Sequence, residues 1–187
     1  MAISRRQLSL EQFLQLPEEE PALEYEEGQV ERKMTPKLRH SALHSELLIR
    51  LTATARRRNR ARVCVDLRTT FGGRSYVPDL SVFLTVRVPH QPDGALVDDV
   101  LLPPDIAVEI ISPDQRLSRL IRRCTWYVEN GVCVALLVVP DDESVLVFRP
   151  GRPVQVVRSD ERVELEDVLP GFSLTARRLF AALRLGR

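Results

Sequence analysis

Apolar residues along the chain recur with two different periods, and together they predict a mixed α/β protein. Helical spacing occurs in four segments, which are residues 10–16, 39–58, 112–130 and 175–183. Strand-like stretches are a hairpin around Gly28 at 22–34, then 63–71, 80–84, 106–111 and 132–139, and a second hairpin over 143–148 and 154–158. The predicted fold class is therefore α/β (α+β), with a mixed central β-sheet flanked by helices.

Two of the predicted strands are almost wholly apolar. Residues 132–139 contain no charged side chain, which predicts a central strand buried on both faces. Residues 106–111 are apolar apart from Glu109, and Asp79 directly precedes the apolar run 80–84. An ionised carboxylate is costly to bury unless it is paired or bound to a metal, so both acids are candidate site residues. From spacing alone, a Glu109 that faces solvent or pairs with an arginine is the simpler interpretation.

Composition places the chain among ordinary globular proteins. It has 187 residues, of which 44% are hydrophobic and 28% are charged, which excludes a mainly disordered chain. No apolar run approaches the roughly 18 residues of a membrane helix, and no export signal is visible at the N-terminus, so we expect no membrane partner. Three cysteines without a CxxC pair predict reduced thiols in the cytoplasm, and we expect Cys124 and Cys133 to be buried.

The charged residues add one unusual feature. The net charge of +1 is low for a protein whose whole surface binds nucleic acid. Of the 27 basic residues, however, only Lys33 and Lys37 are lysine. Arginines are concentrated at residues 56–62, where they would follow a nucleic-acid backbone or, as we prefer, end a solvated helix whose dipole favours positive charge.

Several short motifs follow one another in a fixed order along the chain. They are the hairpin Leu23-Glu24-Tyr25-Glu26-Glu27-Gly28-Gln29-Val30, His40, Pro78-Asp79, the segment Val-Glu-Ile-Ile-Ser-Pro at 108–113 with Tyr-x-x-x-Gly-Val at 127–132, and Leu169-Pro170-Gly171-Phe172. In this order they resemble the motifs of the Uma2-like family, which consists of bacterial proteins in the PD-(D/E)XK nuclease superfamily. The resemblance extends over roughly residues 9–183, nearly the whole chain.

This resemblance implies a restriction-endonuclease-like core of α-β-β-β-α-β order in a single nuclease-like domain. The core would span about residues 22–140, followed by a C-terminal hairpin and helix at 141–187. It also implies that Asp79 and Glu109 bind Mg²⁺ or Mn²⁺, with the main-chain carbonyl of Ile110 as a further ligand and Glu24 as a third acid. The expected function is a metal-dependent endonuclease that hydrolyses DNA and forms a homo-oligomer, a dimer or higher.

The chain departs from the superfamily pattern at its lysine. The E-x-K form would place lysine at residue 111, which is Ile111, and the Uma2-like family places it on the next helix, four residues before a tyrosine. Counting back from Tyr127 gives Arg123, with Arg116 seven residues earlier on the same helical face. Arginine can hold phosphate but is a poor general base, so Arg123 would contact phosphate, form a salt bridge with Glu109, or face solvent.

Two further points stay open at this stage. His40 and His44 have a spacing that suits zinc, but no HExxH motif or third ligand accompanies them, so the family resemblance makes His40, with Arg116, a phosphate contact instead. Arginine at the lysine position also favours a second hypothesis, a catalytically degenerate nuclease fold that acts as a nucleic-acid-binding or structural oligomeric module.

Overall fold

The structure, a computed structural model, describes residues 7–57 and 60–186. Its α-helices are Leu10–Leu14 (α1), Leu38–Arg56 (α2), Leu117–Glu129 (α3) and Ala176–Phe180 (α4). Its strands are Leu23–Glu26 (β1), Gln29–Arg32 (β2), Ala61–Val65 (β3), Thr69–Phe71 (β4), Arg74–Tyr76 (β5), Leu80–Leu84 (β6), Ile106–Ile110 (β7), Val134–Val139 (β8), Ser144–Phe148 (β9) and Gln155–Arg158 (β10). None of these described helices is long and apolar enough to cross a membrane.

The larger of two sheets has six strands in the order β10-β9-β8-β7-β6-β3. The pair β7 and β8 is parallel, and every other neighbouring pair is antiparallel. A parallel pair needs a crossover connection, and α3 supplies it. Both parallel strands are buried along their whole length, as expected where helices cover both faces of a sheet. This mixed central sheet flanked by helices confirms the predicted fold class.

The smaller sheet has four antiparallel strands in the order β2-β1-β5-β4. The hairpin predicted at 22–34 forms its first two strands. The prediction of one strand over 63–71 is wrong, because the chain forms β3 in the central sheet and then β4 in the smaller one. Asp66 directly follows β3 with a positive φ of 47°, and apolar alternation does not report such a turn.

Each face of the central sheet has its own hydrophobic core. On one face, α2 packs against the sheet through Leu43, Leu47 and Leu51, and α4 extends the same core. On the other face, α3 shares a core with Phe71 and Tyr76 of the smaller sheet. The smaller sheet and α3 are therefore positioned by common packing, and this brings side chains from both to the same end of the central strands.

The predicted helices are present with different ends. The Ser9 capping box fixes the start of α1, which is shorter than the predicted 10–16. The helix α2 ends at Arg56, and Arg58 of the predicted segment lies outside the described residues. The helix α3 begins at Leu117 because the residues from Ser112 onward first form a turn, and the closing helix α4 continues into a 3₁₀ turn at Ala181–Leu183.

The cysteine prediction is half right. Cys124 is buried on the apolar face of α3, as predicted, but Cys133 is exposed. The reason is that β8 begins at Val134, so Cys133 lies in the connection from α3 and not inside the buried strand. Cys64 is half-buried, and all three thiols are free.

We expect a thiol reagent such as DTNB to label Cys133 in the native protein and Cys124 only after unfolding. Burial raises the pKa of the Cys124 thiol well above its usual value and also excludes the reagent. Timed labelling followed by peptide mass spectrometry checks this, and a Cys133→Ser control should lose the fast phase. Fast labelling of native Cys124 in that control would contradict the packing of α3.

Candidate active site

Asp79 and Glu109 lie side by side where β6 begins and β7 ends. The two strands are antiparallel with Leu80 opposite Val108, so Asp79, one residue before β6, continues the register opposite Glu109. The main-chain N–H of Ile110 donates to Oδ2 of Asp79 over 2.7 Å. Only 3% of Asp79 and 4% of Glu109 is exposed, so strand pairing holds two buried carboxylates next to each other.

Glu24 and Arg123 bring a third acid and a buried cation to the same place. Glu24 lies on β1 of the smaller sheet, and Arg123 lies on α3. The guanidinium donates to both oxygens of Glu24, over 3.0 Å from Nη1 and 2.6 Å from Nη2. Nη1 also donates to Oε1 of Glu109 over 3.4 Å, and the Tyr76 ring centre lies 4.2 Å from Cζ. Arg123 is therefore a buried, bidentate ion-pair partner that links two acids.

The two carboxylate oxygens of Glu109 have different surroundings. Oε1 accepts hydrogen bonds from the Tyr127 hydroxyl over 2.7 Å and from Arg123, whereas Oε2 accepts none from the described residues. Burial raises the pKa of Glu109 to about 7, and the negative charges of Asp79 and Glu24 add to this while Arg123 opposes it. Glu109 is therefore poised to gain or lose a proton near neutral pH.

Asp79 has the opposite electrostatic character. Its Oδ2 accepts a hydrogen bond from Nε2 of His40 over 3.0 Å, and its Oδ1 pairs with Nζ of Lys33 over 2.9 Å. Burial acts to raise the pKa of Asp79, but the His40 hydrogen bond and the Lys33 charge outweigh it and lower the pKa to about 2. Nε2 of His44 bonds to the main-chain oxygen of Asp79 over 2.9 Å, so both histidines contact Asp79.

Lys33 is the residue of this cluster that sequence reasoning missed. It directly follows β2 and is one of only two lysines in the chain. Burial acts to lower the pKa of Lys33, but Asp79 and Glu109 outweigh it and raise the pKa, so the ammonium stays charged. No local motif marks this residue, and the one sequence signal that could have found it is a lysine kept among so many arginines.

A cavity of about 370 Å³ opens onto this cluster. Every residue that the sequence analysis proposes for the site lines it, namely Glu24, His40, Asp79, Glu109, Ile110, Arg116 and Arg123. Arg116 is exposed just before α3, and further lining comes from Arg32, Arg119 and Arg122. Basic side chains around buried acids suit a phosphodiester, whose negative charge the acids alone would repel.

Two other candidates from the sequence lie elsewhere. The described members of the arginine run at 56–62 do not line the cavity, and Arg58 lies outside the described residues. Trp126, whose ring could stack on a nucleic-acid base or cover the sheet, stacks on Phe71 with ring centres 4.9 Å apart, and the Arg74 guanidinium lies 5.0 Å from its ring. The indole therefore covers the core.

The donor chemistry of the cluster fits a hard divalent cation. Mg²⁺ is usually bound by one or two carboxylates together with waters and substrate phosphates, and Asp79 and Glu109 supply adjacent carboxylates. Oε2 of Glu109 has no competing donor among the described residues. Within those residues no group of three or more His, Cys, Asp or Glu side chains is arranged to hold a metal ion, so waters and substrate phosphate would have to complete the coordination of a cation at these two acids.

A mixed sheet with paired acids on adjacent strands, beside a basic cavity, is typical of restriction-endonuclease-like folds, and this chain has that arrangement. The family model described as "Uma2: Putative restriction endonuclease" matches residues 10–177, so the chain belongs to the Uma2 family. A crystal structure from Anabaena variabilis, described as "a putative nuclease belonging to DUF820", is 34% identical, with a TM-score of 0.91 over 95% of this chain and 99% of that chain. A comparison of the chain with curated proteins found no match.

Proposed function

We propose that the chain is a metal-dependent endonuclease that hydrolyses phosphodiester bonds in DNA with Mg²⁺ or Mn²⁺. The observation that carries this proposal is the buried Glu109, which lies beside Asp79 with one oxygen free of hydrogen bonds from the described residues. Membership in the Uma2 family and the likeness to the Anabaena variabilis protein support it. The arginines that line the cavity favour a polyanionic substrate.

Each residue has a role that follows from its charge and position. Asp79 and Glu109 would hold the metal, with the Ile110 carbonyl as the predicted further ligand. Arg123 would offset negative charge that develops on the reacting phosphate, and exposed Arg116 would contact a neighbouring phosphate. Neither of these arginines accepts a proton at neutral pH. The bound metal would polarise the scissile phosphate and lower the pKa of the attacking water.

The ion pairs of the site favour a second candidate function. Both terminal nitrogens of the Arg123 guanidinium, Nη1 and Nη2, already contact Glu24, and Nη1 also contacts Glu109. Lys33 likewise pairs with Asp79. A site whose acids are neutralised in this way also suits a degenerate fold that binds nucleic acid without cutting it, and the nuclease assay separates the two functions.

We expect the purified chain to nick supercoiled plasmid DNA with Mg²⁺ or Mn²⁺, and Asp79→Asn to lower the rate by about 100-fold or more. The amide keeps the size of the side chain but loses the charge that attracts the cation. The matched control is Asp160→Asn, an exposed acid paired with Arg177, which should behave as the wild type. Isothermal titration with Mn²⁺ is run in parallel. A wild type that neither binds metal nor nicks the plasmid, but still binds the DNA, would favour the degenerate function.

A further inference from the structure

The ammonium group of Lys33 is fully satisfied by three oxygen acceptors. Nζ contacts Oδ1 of Asp66 over 2.7 Å, the main-chain oxygen of Val77 over 2.8 Å and Oδ1 of Asp79 over 2.9 Å. An ammonium has three hydrogens to donate, so each has one partner. Lysine therefore fits this point as arginine would not, because the planar guanidinium fork does not present three donors from one nitrogen.

Lys33 also lies between two cavities. It lines the cavity of the candidate site together with Asp79 and His40. The same three residues line a second cavity of about 310 Å³ on which Asp66 and His44 lie. Asp79 lines both cavities and Asp66 lines the second, so acids that contact the ammonium are present at both cavities.

Asp66 already contacts the ammonium and is placed to hold it when Asp79 is given up. Its carboxylate is about half exposed, whereas that of Asp79 is buried, so hydration makes the pair with Asp66 the weaker of the two. Its main chain has a positive φ of 47°, which aspartate tolerates better than most residues. The Asp66 N–H donates to the main-chain oxygen of Asp79 over 3.2 Å, and this bond fixes the separation of the two acids.

The ammonium occupies an oxygen that a metal ligand must offer. A divalent cation at Asp79 would lie close to a fixed positive charge, which repels it strongly in a buried site. The cation can bind well only when the ammonium gives up Oδ1 of Asp79. A substrate phosphate that enters with the cation supplies a new acceptor for the ammonium N–H that has lost Oδ1 of Asp79.

We propose that Lys33 is a positioning residue that competes with the metal for Asp79 and, when metal and DNA bind, gives up Asp79, keeps its contact with Asp66 and turns toward the substrate phosphate. This inference rests on the proposed function for the identity of the substrate, but the competition itself concerns only the free protein and the cation. It makes metal binding weak until a phosphate is present.

The test measures Mn²⁺ affinity of the full chain without DNA, by isothermal titration or by the EPR signal of free Mn²⁺. We expect Lys33→Met to tighten binding by about tenfold, because an isosteric apolar side chain removes the competing charge. Lys37→Met is the matched control, since the other lysine pairs with Asp114 and does not line the cavity. It should leave the Mn²⁺ affinity unchanged.

Asp66→Asn tests the same mechanism in the opposite direction. Asparagine tolerates a positive φ, and the side chain is on the surface, so the variant should fold. Without the charge of Asp66, the ammonium should stay with Asp79, and Mn²⁺ should bind about threefold more weakly. In the Lys33→Met background the same substitution should have almost no effect, because the ammonium that couples the two acids is gone.

Three results would overturn the inference: Lys33→Met binds Mn²⁺ no more tightly than the wild type, Lys37→Met tightens it equally, or Asp66→Asn weakens it equally in both backgrounds. The last would mean that Asp66 acts as a distant charge and not through Lys33. Plasmid nicking is measured separately. If the expected Mn²⁺ cycle is found and no variant or wild type cuts DNA, the competition stands and the proposed nuclease function fails.

Discussion

Replacement of Glu109 by glutamine should abolish DNA cleavage and also make the folded protein more stable at pH 8. The amide oxygen can still accept hydrogen bonds from Tyr127 and Arg123 at the position of Oε1. The amide nitrogen takes the position of Oε2, which has no donor among the described residues. The substitution therefore removes the charge and the oxygen that we propose binds the metal, while it keeps the packing around the side chain.

The stability change follows from the raised pKa of Glu109. Below its ordinary value of 4.5 the carboxyl group is protonated in both the folded and the unfolded chain, so ionisation does not affect stability. Between 4.5 and about 7 the unfolded chain has lost the proton that the folded chain keeps, so the free energy of unfolding falls as pH rises. The fall is complete above pH 7 and amounts to about 3 kcal/mol.

Urea unfolding at several pH values checks this expectation. The difference in free energy of unfolding between Glu109→Gln and the wild type should grow by about 3 kcal/mol from pH 5 to pH 8. Asp79 does not interfere, because its lowered pKa changes stability only below pH 4. The exposed control Glu164→Gln should show no such growth. A difference that is independent of pH would mean that Glu109 ionises in the folded protein as it does in water.

Such a result would also identify what the acid contributes. Glu109→Gln leaves Arg123 paired with Glu24, so the variant loses a costly buried charge without stranding its partner. A carboxylate that destabilises the fold at pH 8 therefore needs a functional reason to be there. Mn²⁺ should recover the lost stability in the wild type, since a bound cation favours the ionised carboxylate, and should do so much less in Glu109→Gln. Thermal unfolding with and without Mn²⁺ measures that contrast.

The elements whose pattern is local were predictable from the sequence. The α3 stripe and the apolar strand β8 follow from residue spacing alone, because each is decided by neighbours within a few positions. The division into two sheets was not predictable, since Asp66 reverses the chain by its backbone conformation while the apolar alternation continues through it. The exposure of Cys133 was missed for a related reason, because an apolar run does not show where its strand begins.

The candidate site was predictable only where a motif orders its residues. Asp79, Glu109 and Arg123 could be proposed together because the family pattern fixes their spacing along the chain. The bidentate pair between Arg123 and Glu24 could not be predicted, because it joins α3 to β1 of the smaller sheet. Lys33 has no motif of its own, and it meets Asp79 only because the smaller sheet packs beside α3.

The largest loss of stability should come from Arg123→Met. Arg123 is 7% exposed and pairs with Glu24 and Glu109, which are themselves buried. The ion pairs also raise the pKa of Arg123, against the effect of burial, so its charge is always present. Removal of one partner from a buried ion pair leaves an uncompensated charge, which costs about 3–5 kcal/mol. The cost should be smaller at pH 5, where Glu109 is protonated and needs no partner.

Arg123→Lys separates the charge of this residue from its geometry. Lysine keeps a positive charge near Glu24 but cannot form the bidentate pair, so we expect a smaller loss of stability, about 1–2 kcal/mol, and cleavage that is retained or raised. The neighbouring Arg122→Met, which changes an exposed arginine on the same helix, is the control and should unfold at the wild-type urea concentration.

In Arg123→Met, a second substitution Glu24→Gln should restore part of the stability, because it removes one of the stranded charges. If Arg123→Met unfolds with the wild-type midpoint and Glu24→Gln adds nothing to it, the guanidinium does not link the two acids, and its assignment to the site is wrong.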